Sequence, residues 1–88
     1  MTKRVYLYAF NDMAKVVGCR YLEGEQATAL NALRFGLQLK DENLERVTVY
    51  AVMNRAGLYG DFIEAVKSND FTKHFEFMDL VSREGLRI

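Results

Sequence analysis

Cys19 and His74 are the single cysteine and single histidine of the chain, and together they are its one candidate nucleophile and base. For that chemistry the segment around residue 19 would have to meet the segment around residue 74, and no third side chain stands out to orient the imidazole. His74 falls in an apolar arc with Phe71, Phe77 and Met78, where a packed, hydrogen-bonded ring is the simpler role. Cys19 lies in a β-rich run and reads as a small hydrophobe. One cysteine cannot close a disulfide within the chain, and one cysteine with one histidine cannot build a conventional thiolate or imidazole metal cluster. The expectation is therefore no catalytic residue, no metal site and no cofactor.

A second candidate is the turn from Asn54 to Gly60. Helix N-terminal amides approached through Gly57 and Gly60, and joined by Arg55, could hold a phosphate or carboxylate. The spacing matches no phosphate-loop or dinucleotide fingerprint, and Asp61 would repel an anion there. The simpler reading is a turn that needs Gly57 for its backbone conformation.

The third candidate is aromatic. Val5, Leu7 and Ala9 alternate with Tyr6, Tyr8 and Phe10, and a later strand alternates Val47, Val49, Ala51 and Met53 with Thr48, Tyr50 and Val52. If the aliphatic set faces the helices, then Tyr6, Tyr8, Phe10 and Tyr50 form an aromatic wall on an uncovered sheet face. Residues 1–22 add Lys3, Arg4, Lys15 and Arg20 against Asp12 alone. Aromatics interleaved with cations can stack the bases of a single strand. Tyrosine and arginine are equally the residues that protein interfaces favour. The expected partner-binding set is Tyr6, Tyr8, Phe10, Tyr50, Arg4 and Arg20, and truncating Tyr8 is expected to spare the fold.

The elements that must carry these residues follow from periodicity. A strand over residues 3–10 and a β-rich run over residues 15–22, joined at Asn11–Ala14, read as a hairpin. The competing reading of the second run is a helix capped at Asn11 or Asp12; Gly18 and the β-branched residues count against it. Helical spacing of Leu30, Leu33 and Leu37, and of Ala32, Phe35 and Leu39, predicts a helix from about Glu25 to Lys40. Its apolar arc spans roughly 220°, wider than one sheet contact needs, so this helix should touch more than one neighbour. Asp41, Glu42 and Asn43 form the expected loop, and Arg46 to Met53 the cleanest strand. A helix over Leu58–Lys67 and another over about Asp70–Glu84 complete the order, the second closed by Gly85 with Leu86 in a Schellman arrangement. The tail Leu86-Arg87-Ile88 could add a short strand or fray.

The fold class expected is α/β (α+β): a two-layer sandwich in the order ββαβαα, with a three-stranded sheet and helices over one face. Eighty-eight residues suffice for one domain, burying about 64% of the extended chain's surface. The chain is 50% hydrophobic, and twelve Lys and Arg balance twelve Asp and Glu, which speaks against a strongly electrostatic nucleic-acid or membrane binder. No apolar run reaches the roughly 20 residues of a membrane span, and the N-terminal residues do not resemble a signal peptide. A cytoplasmic protein is expected. Its function is expected to be stoichiometric, non-catalytic binding of a protein partner, as an inhibitor, adaptor or regulator of the kind common among phage accessory proteins, with self-association into a homo-oligomer. Single-stranded nucleic-acid binding is the alternative, and nucleotide or small-anion binding at the Arg55–Gly60 turn the third reading.

Overall fold

A computed structural model describes residues 3–41 and 46–88 of the chain. Strands β1 (Arg4–Phe10) and β2 (Val16–Glu23) form the expected antiparallel hairpin, from Arg4 opposite Glu23 to Phe10 opposite Val16. The Asn11 carboxamide oxygen accepts hydrogen bonds from the backbone N–H groups of Met13 and Lys15, both at 3.0 Å. Ala14 takes a left-handed conformation, φ 60°. A bulge at Ala9/Phe10 leaves Val17 without a partner, on the same side of the sheet as Gly18 and opposite Val16.

The predicted helix over residues 25–40 is two elements. Gly24–Gln26 forms one 3-10 turn, and helix α1 (Ala29–Asp41) starts only after Thr28, whose hydroxyl accepts from Asn31 N–H at 3.2 Å. A capping hydroxyl set inside the apolar pattern explains the late start. Asp41, expected in the following loop, still belongs to α1, while residues 42 and 43 lie outside those described.

Strand β3 (Thr48–Met53) pairs antiparallel with β1, Val49 opposite Ala9 and Val5 opposite Met53. Helices α2 (Leu58–Lys67) and α3 (Phe71–Glu84) follow, and the tail returns as β4 (Leu86–Arg87) against Tyr50 and Ala51. The sheet has four antiparallel strands, ordered β2-β1-β3-β4. The expected three-stranded sheet in the order ββαβαα is thus corrected to four strands in the order ββαβααβ.

Gly85 makes the return possible, though not through the expected Schellman turn. Its backbone is extended, φ −122° and ψ 177°, and its N–H donates to Val81 O at 2.9 Å. A Cβ there would lie 2.7 Å from Ala51 O and 2.9 Å from Val52 Cγ2. The residue is needed for close approach to β3 and not for a left-handed dihedral.

Helices cover both faces, which corrects the expected one-sided sandwich. Val5, Leu7, Ala9, Leu22 and Val49 pack beneath Ala32, Phe35 and Leu39 of α1. On the other face Tyr8, Phe10, Val16 and Val52 pack beneath Leu58 and Ala65 of α2 and Phe77 and Val81 of α3. β1, apolar at nearly every position, is the central strand between the two clusters, as a strand buried on both sides requires. Among the described residues no helix is long and apolar enough to cross a membrane.

Candidate functional site

The aromatic wall exists, but most of it is core. Tyr8 and Phe10 are fully buried; Phe77 meets Tyr8 edge-on at 5.2 Å and Phe10 at 5.9 Å between ring centres. The uncovered face expected for them is ruled out because α2 and α3 occupy it. Burial raises the Tyr8 phenol well above its ordinary range, with a smaller contribution from Cys19, and its hydroxyl has no hydrogen-bond partner among the described residues. Tyr50 is half-buried against Phe10, its ring edge-on at 5.9 Å. Arg20 points to the opposite face: its guanidinium lies 5.0 Å from the Phe35 ring centre and donates to Gln38 Oε1 at 2.8 Å. The six residues expected to bind a partner therefore do not form one surface.

One of them, Tyr6, does line an open cleft, with tyrosines that the sequence reading missed. The hairpin register sets Tyr6 opposite Tyr21, their rings 4.8 Å apart. Tyr59, at the start of α2, comes to the same cleft with Cys19 and Ala56. Leu58, fully buried, anchors that first turn of α2 to the core, so the next side chain is held at the surface. Tyr59 in turn stacks on Phe62 at 5.8 Å. Tyr21 and Tyr59 remain about half exposed. Counting out from the Asn11–Ala14 turn would set Cys19 across from Tyr6; Tyr21 comes there because the ladder starts at Phe10 opposite Val16 and shifts again at the Ala9/Phe10 bulge. Tyr59 carried no sequence signal, since its helix is brought there only by tertiary packing.

Two ion pairs lie at this end of the molecule. Arg4 Nε lies 3.9 Å from Glu23 Oε1, and Arg55 Nη1 lies 3.4 Å from Glu84 Oε2. The Tyr21 phenol is held above its ordinary range by partial desolvation and by the Glu23 carboxylate beside it. Burial pushes the Cys19 thiol up to about 12, the opposite direction from that of an activated nucleophile.

The turn at residues 54–60 is not organised around its glycines. Gly57 is right-handed helical, φ −61° and ψ −27°, and added Cβ atoms at Gly57 and Gly60 would meet nothing within 4 Å. The left-handed position is Asn54, φ 58°, a residue type that tolerates it. The expectation that Gly57 is needed for backbone conformation is corrected accordingly. Of the residues expected to hold an anion, Arg55, Gly57 and Gly60, Arg55 is paired with Glu84, and Asp61 stands in the first turn of α2.

His74 is buried, with Nε2 3.3 Å from Ser68 O and its ring 6.1 Å from that of Phe71. Its surroundings are the α2–α3 junction, whereas Cys19 sits on β2 beside Tyr8. Among the described residues no group of three or more His, Cys, Asp or Glu side chains is placed to hold a metal ion. No protein-family model matches the chain, and no curated protein or solved structure matches it significantly.

Proposed function

We propose that this protein acts by stoichiometric, non-catalytic binding of another protein, as an inhibitor, adaptor or regulator, and that the cleft of Tyr6, Tyr21 and Tyr59 is the contact. The observation that carries the reading is the convergence of three tyrosines from two strands and a helix on one open surface. Tyrosine offers a large amphipathic contact with few torsions to freeze, which is why it dominates the energetic centres of interfaces. The exposed ion pair beside Tyr21, Arg4 with Glu23, suits a polar rim. A free thiol at Cys19 suits a reducing compartment, and we place the encounter in the cytosol.

The test is affinity capture from native lysate with and without nuclease, comparing the parent with Tyr21→Ala/Tyr59→Ala. Each truncation at an interface centre costs about 2 kcal/mol, so the double variant should lose its partner while melting like the parent. Capture abolished by nuclease, with affinity falling steeply with salt, would transfer the cleft to single-stranded nucleic acid. Undiminished capture by the double variant would remove the cleft from the proposal.

A further inference from the structure

The α1 side of the molecule has a large apolar face that none of the described elements covers. α1 buries Ala32, Phe35 and Leu39, yet Leu30, Leu33 and Leu37, spaced by three and four residues, are each more than half exposed. Leu33 and Leu37 line one wall of a groove whose far side includes Ile88. Leu86, opposite Ala51 in the β3–β4 ladder, is 74% exposed, and Met53 lies two residues from Ala51 on the same face. The groove joins the stripe to the tail at Ile88, and Leu86 and Met53 lie on the same face of the sheet.

We infer that this face is the interface with a second copy of the chain. Leu30, Leu33, Leu37, Met53, Leu86 and Ile88 together expose roughly 600 Å², at or beyond the largest patch an ordinary monomer shows. Covered on both copies, these residues alone remove about 1,200 Å² from solvent, the lower bound of a specific, stable interface. The occupant must be apolar: the charged groups flanking the stripe on α1, Arg34 and Lys40, carry long aliphatic stems that can turn outward. A two-fold axis presents the same leucine stripe to itself, so one surface supplies both halves of the match. The inference is independent of the tyrosine cleft, which lies on the other face of the sheet.

Sedimentation equilibrium from 1 to 100 µM tests it on the full chain. The parent should weigh twice 10.2 kDa at the upper concentrations, and Leu33→Glu/Leu37→Glu should weigh 10.2 kDa with unchanged circular dichroism. Tyr21→Ala/Tyr59→Ala should stay dimeric. A parent that remains monomeric at 100 µM overturns the inference, whether a different protein or nothing covers the face. A dimer that survives both glutamates also overturns it. If the double glutamate variant fails to fold, dilution of the parent followed by amide NMR decides the matter. Shifts confined to residues 30–37 and 86–88 uphold the interface, and shifts elsewhere overturn it.

Discussion

Cys19 illustrates how a reactive residue type becomes inert by position. It faces the α2/α3 side of β2, opposite Tyr8, where burial disfavours the thiolate and pushes the thiol from near 9 up to about 12. Native Cys19 should react with iodoacetamide at pH 8.5 at least roughly a hundredfold more slowly than the same residue in denaturant, measured by mass spectrometry of the alkylated chain. Because the folded state holds this proton more tightly than the unfolded state, the associated stability is fully present below about pH 9. It is lost as pH rises toward 12. Equal alkylation rates in the two states would place the thiol in solvent.

Among the elements, α3 shows a separate device at each end. Asp70 accepts from Thr72 N–H at 2.9 Å, and that bond is the first cause of a carboxyl held below its usual range. The stabilisation it brings is present above the unfolded carboxyl's range and is lost as pH falls through the folded carboxyl's lower one. Asp70→Ala should lower the melting temperature by a few degrees at pH 7, and the difference should vanish near pH 2. A difference that persists in acid would mean that the cap is not what Asp70 contributes. At the other end Gly85 sets β4 against β3. Gly85→Ala puts a methyl 2.7 Å from Ala51 O, and such overpacking costs about 1–3 kcal/mol. The hydrogen bond from Ile88 N–H to Val49 O, 2.9 Å, should then open first, giving faster amide exchange at Ile88 while α1 keeps its protection.

For the whole molecule, the two-sided burial of the sheet reverses one expectation and sharpens another. Tyr8 was expected to be expendable for folding, yet it is a fully buried centre of the α2/α3 cluster. Tyr8→Ala should cost about 3–5 kcal/mol, as large-to-small core truncations do. Val49→Asp, on the α1 side, buries an unpaired carboxylate at several kcal/mol, comparable with the 5–15 kcal/mol that holds an ordinary domain. Chemical denaturation should find both variants severely destabilised, by similar amounts from opposite faces. A Tyr8→Ala protein with parental stability would mean that α2 and α3 do not cover that face in solution.

What the sequence by itself determined is local: the hairpin with its Asn11 turn, α2 at Leu58–Lys67, α3 behind its Asp70 cap, and the width of the apolar arc on α1, whose outer leucines the sheet leaves exposed. Each is set by residues within a few positions of one another, through side-chain period and capping chemistry. Tertiary structure alone decided which face each helix covers. β1 is apolar on both sides, so its alternation is equally compatible with an aromatic face in solvent or beneath two helices. The choice depends on α2 and α3 crossing to the face opposite α1, a packing outcome spread across residues far apart in the chain. The same placement moved Tyr8 and Phe10 into the core and brought Tyr59 beside Tyr6 and Tyr21.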